Sequence, residues 1–329
     1  RVATGHRGLI WKVVVVGEWV ATCGADGRFK VWEQEGWTCV ETVVAGQVGL
    51  CAMTECGGML VTGGYDGSIK VWEAGSWTCV RTLQGHTLTV KDLLVLDDRQ
   101  LLSSSCDGTV RAWNTATWAC ERVVKTGHVD GAWVCSLVAH DGMVYCGGDI
   151  TDPTIQVIDT ATWTVVGVME GHTDWINQLV VWEGMLISCS YDRTIRLWST
   201  TEERECQQTL IGHTDTVNTM VVIGDKLVTS SRDRTAGGGD FGGASSPPAA
   251  PAGACPRARS SKWFASDGPT HAPGTSARGP PAGSSAAPDA APLITVVAPN
   301  RPTPPRCTAP MWPTCFIAAI LRRAIRGPT

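Results

Sequence analysis

Proline is almost missing from the first 236 residues, where Pro153 stands alone although the whole chain contains 18 prolines. Beyond residue 236, glutamate is missing instead, and Gly, Ala, Ser and Pro dominate. A segment of that composition cannot bury enough apolar surface to form a packed core, so we expect residues 237–329 to be a mostly disordered tail. Residues 1–236 are then the candidate folded domain and are long enough to bury a large core.

The chain also lacks the short motifs that carry common chemistry. It has no phosphate loop of the Walker type, no Gly-x-Ser-x-Gly and no zinc-protease motif. Its 14 cysteines include no Cys-x-x-Cys pair and no zinc spacing, and no apolar run is long enough to span a bilayer. We therefore expect no catalytic site, metal, cofactor, small-molecule substrate or membrane partner. Reduced cysteines predict an intracellular location, cytoplasmic or nuclear.

Charge divides the chain at the same point. Residues 1–236 carry 18 basic and 28 acidic side chains, whereas residues 237–329 carry 9 and 3. An acidic domain argues against a surface that binds phosphates, so nucleic acid is not an expected partner. The weaker alternative is RNA binding through the basic tail, with Arg257, Arg259, Lys262 and Trp263 as contacts.

An Asp followed six residues later by a Trp recurs along the domain with a period of about 40 residues. The complete pairs are Asp26/Trp32, Asp66/Trp72, Asp107/Trp113 and Asp192/Trp198. A fourth-repeat copy has Ile158 after Asp152, and a last copy has Gly239 after Asp233. Fixed self-similarity at this period indicates a repeat architecture.

Two further positions keep the same phase. Gly-His begins most repeats, at His6, His86, His128, His172 and His213, and Gln47 takes that place in the second repeat. A Ser or Thr lies four residues before the Asp at Thr22, Thr62, Ser103, Ser188 and Thr229. With these features, residues 1–236 resemble the WD-repeat β-propeller family, most closely over residues 187–198.

The resemblance implies an all-β propeller whose blades each hold a hydrogen-bonded tetrad of His, Ser or Thr, Asp and Trp. The full sets are His6/Thr22/Asp26/Trp32, His86/Ser103/Asp107/Trp113 and His172/Ser188/Asp192/Trp198. A buried carboxylate needs partners, and these side chains can donate and accept in sequence. They recur at the same offsets, whereas an enzyme needs one site, so we interpret the tetrads as structural rather than catalytic.

The repeats define the expected domain organisation. Blades are predicted at residues 5–45, 46–84, 85–126, 127–170 and 171–211, with a partial sixth at 212–236. Because the repeat pattern covers only about two strands of the sixth repeat, we expect an incomplete ring with an unpaired strand edge near residues 226–231. A gene-model artefact after Thr235 is favoured over a functional tail, and the true amino terminus is expected to lie upstream of Arg1.

Recognition is expected on the rim that carries the Gly-His loops and the Asp turns, because loops on a rigid scaffold commonly bind partners. The fourth repeat departs most from the pattern, and its neighbour brings further aromatic residues. We predict a docking surface centred on Trp133, Trp175 and Tyr191. Its other candidate members are Tyr65, Asp149, Asp174 and Arg232. The alternative is drift in a tolerant loop with single exposed aromatics.

These observations favour a non-catalytic protein–protein interaction scaffold or adaptor. A substrate-receptor propeller of a ubiquitin-ligase-type assembly is the main alternative within the same class. Less favoured are an RNA-binding propeller protein and a regulatory propeller of a missing enzyme domain.

Overall fold

The structure is a computed structural model that describes residues 5–240, and this part of the chain contains β-strands and no helix. Its 23 strands form six antiparallel sheets, in which strands consecutive in sequence lie side by side. Five sheets have four strands and the sixth has three. The sheets are the blades of a six-bladed propeller, which confirms the predicted all-β fold.

The strand bounds repeat the same plan in every blade. Blades one to three comprise Ile10–Val16, Trp19–Gly24, Arg28–Glu33 and Cys39–Val44; Leu50–Cys56, Met59–Gly64, Ile69–Glu73 and Cys79–Leu83; and Val90–Asp97, Gln100–Ser105, Thr109–Asn114 and Cys120–Lys125. Blades four to six comprise Val134–His140, Met143–Gly148, Ile155–Asp159 and Thr164–Met169; Ile176–Trp182, Met185–Ser190, Thr194–Trp198 and Cys206–Ile211; and Val217–Ile223, Lys226–Ser231 and Ala236–Asp240.

The turn between the second and third strands explains why Asp is fixed in the repeat. Asp107 Oδ1 accepts hydrogen bonds from the backbone N–H of Thr109 at 3.0 Å and from its hydroxyl at 2.6 Å. Gly108 between them has φ of 75°, which glycine adopts without steric cost. The carboxylate therefore closes its own turn and still has an oxygen free to reach the preceding loop.

Apolar clusters join consecutive blades. Phe29 of blade one meets Trp72 and Trp77 of blade two edge-on, with ring centroids 5.0 and 6.1 Å apart. Equivalent clusters join blades two to three, three to four, four to five and five to six. In residues 5–240, no such cluster joins blade six to blade one. The matching face of blade one holds Val13, Val20 and Trp32 in a cluster of blade-one residues alone.

The inner strands are also tied by one carboxylate that sequence reasoning did not single out. Asp92 of blade three pairs with Lys12 of blade one at 3.0 Å, across the centre of the ring. Its second oxygen accepts from the backbone N–H of Leu137 in blade four, also at 3.0 Å. Asp92 thus connects three blades near the propeller axis.

The sixth blade differs from the prediction. We expected about two strands and an open edge on the second, but Ala236–Asp240 pairs with Lys226–Ser231 along its whole length. Backbone groups alone make a β-ladder, so the glycine-rich segment can pair although it brings almost no side chains. Residues 237–240, which the prediction assigned to the tail, thus belong to the third strand of blade six. Residues 241–329, including the residues named for RNA binding, lie outside the described part.

Candidate functional site

Blade three shows the hydrogen-bonded set that three blades share. His86 Nδ1 lies 2.8 Å from the Asp107 carboxylate, and His86 Nε2 lies 2.7 Å from the Ser103 hydroxyl oxygen. The indole N–H of Trp113 donates to the same hydroxyl at 2.8 Å. A carboxylate only accepts, so we assign the ring proton to Nδ1 and the hydroxyl proton to the Ser103–His86 bond. One chain of bonds then connects the rim to the interior of the sheet.

Blades one and five repeat this chain of bonds. In blade one the His–Asp, His–Thr and Trp–Thr distances are 3.0, 2.9 and 2.9 Å. The matching distances in blade five are 2.6, 2.6 and 2.8 Å. The structure therefore brings together all twelve predicted tetrad residues, in the three sets that the sequence predicted.

Blades two and four satisfy their buried polar groups without a complete tetrad. In blade two, Gln47 replaces His, and its Oε1 accepts from Thr62 at 3.0 Å while its Nε2 donates to the Ser68 carbonyl at 2.8 Å. In blade four, His128 bonds to Thr126 at 2.7 Å, and the Asp152 carboxylate instead accepts from a backbone N–H. The tetrad is thus replaceable where other polar groups satisfy the same donors and acceptors.

Burial sets the ionisation of the tetrads. Burial lowers the pKa of His172 below its usual value, although its bond to Asp192 acts in the opposite direction. Burial would raise the pKa of Asp192, but the bonds from His172 and Thr194 together hold it well below its ordinary value. A neutral imidazole that donates to an ionised carboxylate satisfies both directions.

The tetrads have little room for a substrate. Trp32, Trp113 and Trp198 are at most 3% exposed, and each caps the Ser or Thr oxygen that a nucleophile would need free. We therefore keep the structural interpretation of the tetrads as a proposal, which the variants below test.

Trp133, Trp175 and Tyr191 lie together on the rim. The Trp133 and Trp175 ring centroids are 5.1 Å apart, and those of Trp175 and Tyr191 are 6.2 Å apart. Trp175 is only 5% exposed and packs with Trp11, which sequence reasoning did not place here. Trp175 therefore supports the surface from beneath, whereas the half-buried Trp133 and Tyr191 form its accessible part.

The two candidate carboxylates on the rim are engaged within their own loops. Asp149 is buried and accepts from the backbone N–H groups of Trp133 at 3.1 Å and Thr151 at 2.9 Å. Asp174 accepts from the backbone N–H of Trp175 at 2.8 Å. Both residues shape the rim, and Asp149 offers little surface to a partner.

Tyr65 and Arg232 occupy equivalent positions in blades two and six. Tyr65 is half-buried, and burial raises the pKa of its phenol. Arg232 is exposed and lies close enough to Tyr191 to offset part of the rise that burial causes in the pKa of that phenol. Arg232 therefore flanks the central aromatic group, and Tyr65 lies on the rim of blade two.

Sequence reasoning missed a ring of residues at the start of the inner strands. Each inner strand has a β-bulge near its first residue, and the bulged residues are Trp11, Cys51, Lys91, Cys135, Asn177 and Asn218. Lys91 Nζ lies 5.9 Å from the Trp133 ring centroid and interacts electrostatically with Cys51 and Cys135, so these positions converge. Their signal is a constant offset of five residues from His in blades one, three, five and six.

Within residues 5–240, no group of three or more His, Cys, Asp or Glu side chains could hold a metal ion. The same residues contain no helix of the length and apolarity needed to cross a membrane.

Comparison with known proteins matches the repeat pattern to one family. The family described as "WD domain, G-beta repeat" matches residues 1–33, 37–73, 77–114, 163–199 and 204–236. The longest unmatched interval within residues 1–236, residues 115–162, includes most of the divergent fourth blade. Propellers of this family are generally non-catalytic and act as scaffolds for protein interactions.

Three curated proteins are similar to short parts of the chain. "Protein transport protein SEC13" of Phaeosphaeria nodorum is 30% identical over 59 residues, which cover 16% of this chain and 19% of that protein. "WD repeat-containing protein 89 homolog" of Dictyostelium discoideum is 36% identical over 58 residues, covering 17% and 16%. "Uncharacterized WD repeat-containing protein C126.01c" of Schizosaccharomyces pombe is 35% identical over 65 residues, covering 18% of each chain. The chain thus matches less than a fifth of each relative's length.

Removal of the hydroxyl that joins the tetrad should destabilise the fold. Ser103→Ala leaves His86 Nε2 and the Trp113 indole N–H without their shared partner, at a cost of about 1–3 kcal/mol. Ser104→Ala is the matched control, because Ser104 is equally buried but its hydroxyl has no hydrogen-bond partner among the described residues. Urea unfolding should show a large loss for the first variant and little change for the second. Equal losses would contradict the structural role.

Acid should weaken the fold in two ranges of pH. Burial depresses the pKa values of His128 and His172, so the unfolded chain binds protons that the folded chain resists. Stability is therefore fully present above about pH 6.5 and is lost as the pH falls below it. Asp107 and Asp192, whose pKa values are also lowered, add a further loss below about pH 3.8. Urea midpoints measured from pH 8 to pH 3 should fall in both ranges; a midpoint that stays constant or rises between pH 7 and 5 would contradict the assignment.

Proposed function

Because the chain belongs to the WD-repeat family, we propose that it is a non-catalytic scaffold or adaptor that presents the rim of its propeller to protein partners. The observation that carries this proposal is the aromatic group of Trp133, Trp175 and Tyr191, which is packed from below and accessible from above. A rigid aromatic base with polar neighbours is typical of the residues that dominate binding energy in interfaces.

Exposed apolar residues in the rim loops support the same location. Val48, Leu88, Val129 and Ile150 are 78, 51, 55 and 59% exposed, and they lie in or beside the Gly-His loops and Asp turns of blades two to four. Apolar side chains at neighbouring loop tips leave surface that a partner could cover. They extend the proposed surface from Trp133 towards Tyr65.

Charged side chains also lie on the rim. Blades four, five and six place Asp130, Asp174 and Asp215 in their loops, at positions two residues after the His, where blade three has Leu88. Arg193 and Arg232 are exposed in the Asp turns of blades five and six. A partner that spans the rim would therefore meet exposed apolar side chains over blades two to four and charges of both signs over blades five and six.

Two matched pairs of variants test the proposed docking surface. Trp133→Ala and Arg232→Glu alter the rim, whereas Trp182→Ala and Arg81→Glu alter a half-buried Trp at the opposite end and an exposed Arg on an outer strand. We expect each rim variant to recover at least tenfold less of its partners by cross-linking. The reason is that truncation of an aromatic residue at the centre of an interface commonly costs 2 kcal/mol or more in binding free energy, which is about 30-fold in affinity.

The measurement is quantitative cross-linking and mass spectrometry from cell extract, with melting temperatures taken for all four variants. Partners lost with both rim variants and retained with both controls would support the proposal. Unchanged recovery with the rim variants, or equal loss with Trp182→Ala, would rule out the rim as the docking face.

A further inference from the structure

Blade six contains a tetrad that lacks its fourth member. His213 Nδ1 lies 2.9 Å from Asp233, and His213 Nε2 lies 2.9 Å from the Thr229 hydroxyl, as in blades one, three and five. Gly239 lies opposite Leu227 in the strand register, and Trp198 lies opposite the equivalent Leu186 in blade five. The glycine therefore occupies the position that a Trp holds in four other blades.

The missing ring has a defined place in the other blades. In blade five the Trp198 indole donates to Ser188 and packs against Ile155 and Met169 of the preceding blade. It also crosses Gly171, where an added Cβ would lie 3.2 Å from the ring. Each contact has a counterpart in blade six, where Thr229 provides the hydroxyl and Gly212 the close backbone approach.

A cavity is present at this place in blade six. Its enclosed part has a volume of about 50 Å³, which holds only part of an indole ring, and is lined by Ile195, Leu210, Gly212, His213, Thr229 and Gly237, among others. Ile195 and Leu210 are the blade-five counterparts of Ile155 and Met169. The cavity continues towards the surface beside Ile211, which is 59% exposed, so a ring in it would be partly enclosed and partly open.

We propose that this cavity is a binding site for an indole ring, either as a free molecule or as the side chain of a tryptophan in a peptide. The lining supplies apolar groups from blade five for the ring face and the Thr229 oxygen for the N–H. Blades one, three and five show this combination of contacts at 2.8–2.9 Å for the N–H bond. The site lies on the flank of blade six and does not depend on the proposed rim surface.

Selectivity for the N–H follows from the hydroxyl. Thr229 has one proton, which it can give to His213 or to the Gly237 carbonyl at 3.2 Å. Its oxygen keeps acceptor capacity towards an incoming donor. A ring with an N–H should therefore bind better than the same ring without one, by roughly five- to tenfold in affinity.

Direct binding of indole to the full chain tests the site. Ligand-observed NMR and calorimetry should show one indole per chain, with 1-methylindole binding roughly five- to tenfold more weakly. N-acetyltryptophanamide is the second probe: binding to it would show that a peptide can deliver the ring, and binding to indole alone would restrict the site to small free ligands. No binding of indole at millimolar concentration, or equal binding of 1-methylindole, would overturn the proposal.

Two variants locate the site. Gly239→Trp should fill the cavity, abolish indole binding and raise the melting temperature. Trp198→Gly should open the matched cavity in blade five, so that two indoles bind and part of the lost melting temperature returns on their addition. Indole binding that survives Gly239→Trp would overturn the proposal. If that variant does not fold, the test is made on the wild-type protein by nuclear Overhauser contacts between indole and the methyl groups of Ile195 and Leu210. The proposal predicts these contacts, and their absence would overturn it.

Discussion

Each blade depends on its neighbours, because a four-stranded sheet cannot cover its own two apolar faces. The Trp of the repeat contributes both to packing between blades and to hydrogen bonding within its own blade. Its ring fills the space between two blades, and its N–H enters the polar chain that runs through Ser or Thr and His to the Asp turn. The same side chain therefore couples the packing of two blades to the hydrogen-bonded tetrad of one of them. Five apolar clusters that join consecutive blades follow from this arrangement.

The period of Asp and Trp predicted most of the fold, because turn chemistry and strand register repeat with it. It also predicted the three complete tetrads. It did not predict the third strand of blade six, since glycines carry no periodic side-chain signal while their backbone still pairs. Nor could it show that Trp175 is covered, because the covering Trp11 comes from the inner strand of a blade far away in sequence. The Lys12–Asp92 pair across the ring was missed for the same reason.

The two proposed sites lie at blades whose sequence departs from the repeat. The divergent fourth blade and its neighbour bring aromatic residues together on the rim, where we propose that partners dock. The sixth blade keeps its polar chain but has Gly239 in place of the Trp, and a cavity remains between it and blade five. Both proposed sites thus have the same physical cause. The repeat gives every blade the same backbone plan, so a blade that departs from the repeat sequence exposes side chains, or leaves a cavity, at a position that other blades fill.

The central claim is that the polar tetrads are buried structural chains rather than reactive sites. The most direct measurement is long-range ¹H–¹⁵N NMR of the histidine rings at neutral pH. The account predicts that His172 is neutral, carries its proton on Nδ1, and exchanges that proton with water much more slowly than His140, which ends the first strand of blade four and belongs to no tetrad. A protonated ring, a proton on Nε2, or exchange as fast as that of His140 would contradict it.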